Sequence, residues 1–311
     1  MIRSQPPAQG WAWFVQAINL GARNPRATFG AALLLIAAVY LLMLLAGLLM
    51  ALVGGAAPAD PMQLGSGPLL VMVLLMLALL ALVPILIGGL MHVIREAEAG
   101  RPVRARDIFQ PLRSGHAGPL AAFGAVQVAF MWIGSLVANA LIGADFMAGY
   151  TEFAQAVIQQ KTPPAMPPVA HPLGLFLWQI LFNYVSVTVM LLGIARVALS
   201  GRRFGEALRD AAQATWRNVA PNLLAAVLFL LALAGTAIVV TLVGSVVLVA
   251  LGMLSTTLAL VVGVIGSFAL VSAVLVVVCG GGYLIWRDTF ADGGADAGGV
   301  VPPPASGQFQ A

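Results

Sequence analysis

Residues 201–221 read GRRFGEALRDAAQATWRNVAP. Phe204, Leu208, Ala211, Ala212, Thr215 and Trp216 recur at the spacing of one face of a 3.6-residue helix, whereas Glu206, Arg209, Asp210, Gln213 and Arg217 fall elsewhere. Long apolar segments flank the stretch on both sides. A basic amphipathic helix between two spans is expected to lie flat on the cytoplasmic membrane surface. Two rougher copies of this arrangement occur earlier in the chain, and together the three set the topology.

The chain is 61% hydrophobic and 8% charged, with a mean hydropathy of +0.99. A water-soluble domain carries about a quarter charged residues, so that class is excluded. The net charge of +4 and the pI near 9.8 arise from bases in short loops between spans. They read as the positive-inside rule and not as a nucleic-acid surface. The one cysteine, Cys279, lies in an apolar run and offers neither an intramolecular disulfide nor a metal framework. No cofactor is expected. The N-terminus does not read as a cleavable signal. Its apolar run starts only near Ala27 and is far longer than the roughly 7–15 residues of a signal core.

Residues 10–24 (GWAWFVQAINLGARN) read as a first surface helix, with Trp11, Phe14, Val15 and Ile18 on one face and Trp13 and Leu20 opposite. Asn24-Pro25 ends it. Spans follow at about 27–53 and 68–94, each longer than the roughly 20 residues a bilayer requires, with Pro84 inside the second near Gly88 and Gly89. Residues 100–118 form the second surface element, shortened by Pro111. Arg95-x4-Gly100-Arg101 matches Arg196-x4-Gly201-Arg202 there. A third span covers about 119–143. Phe146, Tyr150, Phe153 and Val157 place an amphipathic helix over 145–160 on the outer face. A proline-rich spacer then leads to a fourth span at about 173–195. The uncharged tract 221–286 divides either into two long spans, with its best break over 251–256, or into three short ones.

With the N-terminus inside and six spans, 14 of the 15 Lys and Arg residues fall on the cytoplasmic side and only Lys161 falls outside. Pro25, Pro119 and Pro221 head the three outgoing spans, and this repeated punctuation favours six spans over seven. The expected fold is an all-α polytopic membrane helical bundle. Six transmembrane helices form three hairpins, each preceded by a cytoplasmic interfacial helix. Residues 10–286 make one membrane domain, with units of about 10–99, 100–200 and 201–286. Residues 1–9 and 287–311 are expected to be disordered.

Gly10-Trp11-Ala12-Trp13 with Arg23, Asn24 and Pro25, then Phe204-Gly205-Glu206-Ala207-Leu208 with Arg217-Asn218, resembles an uncharacterised family of proteobacterial multispan inner-membrane proteins. More distantly the chain is similar to the membrane domain fused to some glycerophosphodiester phosphodiesterases. The resemblance covers most of 10–286. It implies a helical bundle in the bacterial cytoplasmic membrane, and it supplies neither a substrate nor catalytic residues.

No catalytic set emerges from the motifs. His92, His116 and His171 fall in different regions, and Glu96 and Glu98 beside Arg95 and Arg101 read as a solvated helix end. The spans hold no Asp, Glu, Lys or Arg near their centres, as a proton- or ion-coupled carrier requires. A candidate polar stripe runs along the fourth span through Gln179, Asn183 and Ser186, answered by Gln127 and Asn139 in the third. It reads first as hydrogen-bonding glue within the bundle. Small-residue pairs Gly134/Ala138 and Gly263/Ser267 mark helix contacts. Gly280-Gly281-Gly282 reads as a hinge or a close-packing point, and Tyr283 and Trp286 as an interfacial cluster. Expected cytoplasmic anchors are Arg95, Arg101, Arg196, Arg202, Arg203, Trp216 and Arg217.

Three function classes follow. The first is a non-enzymatic membrane protein acting through lipid or protein contacts, with anionic headgroups, a membrane protein or a second copy as partner. The alternative is a passive carrier or channel for a small or apolar solute, and the third is a membrane-embedded enzyme.

Overall fold

The computed structural model describes residues 2–54, 65–159, 162 and 164–290. Its architecture is all-α, with ten α-helices among the described residues: α1 (Gln9–Asn19), α2 (Pro25–Gly54), α3 (Ser66–Glu98), α4 (Gln110–Arg113), α5 (Ala117–Ile142), α6 (Ala144–Ile158), α7 (Pro172–Ser200), α8 (Phe204–Arg217), α9 (Val219–Leu254) and α10 (Thr256–Thr289). Six of them are long and apolar enough to cross a membrane. The tract 221–286 breaks once, at Ser255, which is extended and whose hydroxyl accepts from Leu258 N at 3.4 Å to cap α10. The count is therefore six. α9 has 36 residues, about 54 Å at 1.5 Å per residue, well beyond a hydrocarbon thickness of about 30 Å.

Each of Pro25, Pro119 and Pro221 lies in the first turn of its span, where the missing N–H costs nothing. The spans that return to the basic end, α3, α7 and α10, touch one another at the centre. The outgoing spans lie outside them. α2 packs on α3 and α10, α5 on α7 and α3, and α9 on α10 and more lightly on α7. Every outgoing span thus meets its own partner and the returning span of the unit before it, counted in a circle. The surface elements obey the same order. α1 rests on α9 and α10, the 3-10 helix Ala105–Phe109 on α2 and α3, and α8 chiefly on α7, with Phe204 edge-on to Phe123 of α5 at 5.1 Å.

The buried core gathers at the basic end. Buried side chains run from Pro84 to Ala97 in α3, from Tyr184 to Ala198 in α7 and from Ser272 to Thr289 in α10, with only Val71 buried in the far half of α3. The opposite halves, carrying residues such as Leu44, Leu52, Leu70, Leu77, Val246 and Leu260, are exposed. In a bilayer such side chains would meet acyl chains as apolar as themselves, and no hydrophobic force would draw the hairpins together there.

Glycines make the core joints. A Cβ on Gly280 would lie 2.9 Å from Leu20, on Gly281 2.9 Å from Phe229, and on Gly282 2.9 Å from Met91. The triple glycine is therefore a three-way packing point against the 3-10 turn Leu20–Ala22, α9 and α3. The weak small-residue signals also mark contacts. Gly134 sits under the Phe182 ring, and Gly263 under Leu248.

Several expectations are corrected. Residues 2–8 are not disordered. Ile2 pairs antiparallel with Phe290, Arg3 N donates to Thr289 O at 2.7 Å, and Gln5 N donates to Asn218 Oδ1 at 2.8 Å. The tail does not begin at 287. Arg287, Asp288 and Thr289 complete α10 and Phe290 is buried, because this last turn meets α1, α3 and the N-terminal segment. Residues 291–311, like the 55–64 connector and Lys161, lie outside the described residues. Tyr283 and Trp286 are core residues, not interfacial anchors, since α10 is central and not peripheral. The first surface helix ends at Asn19. Trp13, on the face opposite the one the spacing favours, is fully buried, while Trp11, Val15 and Ile18 are exposed. In α8 the buried residues are Ala207, Ala211, Ala214 and Thr215, and Trp216 is 59% exposed.

Tyr184 ties α7 to α8, its hydroxyl donating to Thr215 O at 2.8 Å in a buried setting. Tyr184→Phe is expected to lower stability by about 1 kcal/mol, read as a fall in the thermal midpoint in detergent. An unchanged midpoint would show that the α7–α8 joint rests on packing alone.

Candidate functional site

The turn that ends each of α3 and α7 is built alike. Gly100 and Gly201 adopt φ of +69° and +63°, the left-handed geometry that closes a helix and that only glycine takes at little cost. The matching arginines, Arg95 and Arg196, lie one turn earlier. α10 carries a third at the equivalent place, Arg287. The three form a cyclic set. Arg95 Nη1 donates to Leu199 O of α7 at 2.9 Å. The Arg196 guanidinium lies over the Phe290 ring, 4.4 Å from its centroid. Arg287 Nη1 donates to Glu98 Oε1 of α3 at 2.7 Å. Leu199, Phe290 and Glu98 each lie three residues past the arginine of their own unit, so every arginine reaches the same register on the next unit.

Acidic groups complete the ring. Glu96 receives Arg95 at 3.1 Å and Arg101 at 2.5 Å. Asp210 of α8 accepts two bonds from Arg196, at 2.7 and 3.1 Å, and Ser200 Oγ accepts a third at 3.2 Å. Asp288 accepts from Trp13 Nε1 at 2.8 Å, Gln9 Nε2 at 2.9 Å and Arg287 Nε at 2.8 Å. Glu96 and Glu98 are therefore ion-pair partners, not a freely solvated helix end. The Arg196–Asp210 and Arg287–Glu98 pairs are partly buried between units, which makes them stronger than exposed ones.

The expected anchors divide into two groups. Arg95 and Arg196 are ring members, and Arg196 is only 3% exposed. Neither reaches for headgroups, because their targets lie on neighbouring helices. Arg101, Arg202, Arg203, Trp216 and Arg217 are exposed on the basic rim, with Arg202 3.7 Å from Glu206. An open cavity of about 480 Å³ lies there, lined by Leu199, Ser200, Gly201, Arg202, Arg203 and Glu206.

The candidate polar stripe does not converge. Gln179, Asn183 and Asn139 are exposed, Gln127 is half-buried and Ser186 is buried. Asn183 Nδ2 donates to Gln179 O, and Ser186 Oγ to Phe182 O, both within α7. The α5–α7 contact is instead made by Trp178 Nε1 donating to Gly134 O at 3.3 Å and by aromatic packing of Phe130 on Phe182. A polar side chain one turn from a helix carbonyl satisfies itself locally, which spacing alone does not reveal.

Among the described residues no three His, Cys, Asp or Glu side chains come together in a way that could hold a metal ion. His116 Nδ1 lies 2.8 Å from Ser114 Oγ at the basic end, whereas His92 sits within α3 and His171 caps α7 at the opposite end. Sequence reading missed Arg287 and Asp288 as site residues. Their signal was present: the Arg-acid pair 95–96 recurs at 287–288. Comparison with known proteins returns no match: no protein-family model, no curated protein and no solved structure matches this chain.

Proposed function

We propose that this chain is a non-enzymatic scaffold of the bacterial cytoplasmic membrane, with both termini inside, that acts through lipid or protein contacts at its basic rim. The observation that carries the reading is the composition of that rim. Arg106, Arg113, Arg203, Arg209 and Arg217 are exposed there beside the exposed apolar side chains Trp11, Ile18, Leu112 and Trp216. Guanidinium groups level with aromatic and aliphatic anchors suit a leaflet of anionic headgroups. We also read the three units as an internal repeat of amphipathic surface element, outgoing span and returning span. Its support is the shared proline, the paired left-handed glycines and the common register of the arginine ring.

The passive-carrier alternative needs a polar path through the bundle. The stripe residues Gln179 and Asn183 face outward and do not line the cavity at the basic rim, so the geometry favours the contact reading.

The test is lipid retention. Solubilised protein examined by native mass spectrometry is expected to keep phosphatidylglycerol in preference to phosphatidylcholine. Replacing Arg203, Arg209 and Arg217 together by glutamine is expected to reduce that preference roughly tenfold or more, at about 1 kcal/mol per arginine. Equal retention of the two lipids by the unaltered protein would overturn the lipid-contact reading.

A further inference from the structure

Two of the three junctions between units are covalent. Residues 99–104 carry the chain from α3 into the 3-10 helix Ala105–Phe109, and residues 201–203 carry it from α7 into α8. The third junction runs from α10 to α1, and no peptide bond spans it. The N-terminal segment lies across this gap. Ile2 pairs with Phe290, Arg3 N donates to Thr289 O at 2.7 Å, and Gln5 Nε2 donates to Asp288 O at 2.6 Å. Asn218, at the start of α9, receives Gln5 N and returns a bond from Nδ2 to Arg3 O at 3.1 Å. Beyond the segment, Gln9 and Trp13 of α1 both bind the Asp288 carboxylate.

We infer that residues 2–8 are a strap that splices the third junction, so that the fold is a closed ring of three units with its covalent break between Phe290 and Ile2. The inference rests on the threefold reading of the units. It explains why the last turn of α10 is buried, and why an extended, polar N-terminus is held by backbone bonds on both sides. It also fixes what the strap controls. Among the described surface elements α1 alone is not tethered by covalent chain to the hairpin it packs on. Releasing the strap therefore leaves α1 held on α9 and α10 by its own side chains alone and weakens the junction between the first and third units, leaving the other two junctions intact.

The experiment uses the whole chain with Cys279→Ala. A Cβ on Gly280 lies 3.8 Å from Leu20 Cβ, close to the mean Cβ separation of a disulfide, so Leu20→Cys with Gly280→Cys reports the contact between α10 and the 3-10 turn that directly continues α1. In membranes this pair is expected to cross-link rapidly. Deleting residues 2–8 is expected to slow cross-linking about tenfold or more, and Asn218→Leu to slow it less. If the deletion variant fails to accumulate, Asn218→Leu supplies the reading.

A circular permutant tests the ring itself. Phe290 is joined to Ile2 by a short Gly-Ser hairpin linker in place of 291–311, and the chain is opened between Gly100 and Arg101. Each unit begins and ends at the basic end, so this permutation preserves the direction of every span. Adjacent termini are the setting in which permutation is tolerated. The permutant is expected to insert and to cross-link like the parent. Unchanged cross-linking in both the deletion and Asn218→Leu overturns the strap. A permutant that fails to insert overturns the closed ring. Loss of the lipid preference described above changes neither readout.

Discussion

Gly89→Ala is expected to be among the most damaging single-methyl changes in the molecule. The Cβ it adds would overlap the carbonyl oxygen of Ile108, with the Ile108 carbonyl carbon 2.6 Å away and its Cα 3.0 Å away. The obstacle is backbone, not the tip of a flexible side chain. That backbone has little room to retreat. Ile108 is fully buried, Pro111 is buried beside it, and Arg104 N is held by Asp107 Oδ2 at 2.8 Å. Forcing a methyl into a packed joint costs about 1–3 kcal/mol and occasionally more, and here the upper end applies. The expected result is a fall of several degrees in the thermal midpoint in detergent, with faster tryptic cleavage at Arg104 and Arg106 as the second surface element lifts off α2 and α3. Gly30→Ala, which meets only the Ala105 methyl at 2.9 Å, should cost less. Gly47→Ala has no neighbour within 4 Å and serves as a neutral control. Equal midpoints for all three would show that the 3-10 helix is not seated on Gly89.

The second large effect is expected at Arg196. This guanidinium is almost wholly buried, makes three hydrogen bonds to Asp210 and Ser200, and covers the Phe290 ring. Removing one partner of a buried pair costs about 3–5 kcal/mol. The Asp210 side chain is 29% exposed, so water compensates part of the loss, and about 2–3 kcal/mol is expected for Arg196→Ala. Arg196→Lys keeps the charge but neither the planar stack nor the forked geometry, and should recover less than half. The ring supplies a sharper check. Because each arginine engages the next unit, Arg95→Ala and Arg196→Ala are expected to be non-additive when combined, whereas distant changes add. Strict additivity would mean that the three contacts act separately. Arg287→Ala removes the ion-pair partner of Glu98 and belongs in the same cycle.

Much of this architecture was legible in the residues. The first four spans follow from apolar length, the repeated proline favours two more in 221–286, and the single break there falls at Ser255, inside the stretch the turn signal marks. Helix α6 was legible from the spacing of Phe146, Tyr150, Phe153 and Val157, and the proline at the head of each outgoing span from its position alone. The faces of the surface helices were harder. In α1 both sides are apolar, so spacing offers Trp11, Val15 and Ile18 as readily as Trp13 and Ala17. Burial goes to the face where Gly10 and Ala17 flank Trp13, which lets Gly10 press against Pro221 and Leu224 and the indole reach Asp288. In α8 likewise, alanines and not Trp216 form the contact, because close approach to α7 needs small side chains.

The site was less legible than the fold. The polar stripe of Gln179, Asn183 and Ser186 has a helical spacing, yet a donor that finds its own backbone carbonyl needs no partner across the bundle. The terminal segments read as polar and flexible by composition, and composition does not register that residues 2–9 find acceptors on Asp288 and Asn218, more than two hundred positions away. Sequence by itself determined the number of spans, their proline-headed starts and the concentration of arginine at one end. These depend on local apolar length and on charge, which each segment carries alone. Only the tertiary structure decided that the returning spans are central, that Arg95, Arg196 and Arg287 interlock in one register, and that the N-terminus closes the circle. Those features depend on which surfaces meet, and in a chain whose six spanning helices are apolar all round, no span states its own neighbours.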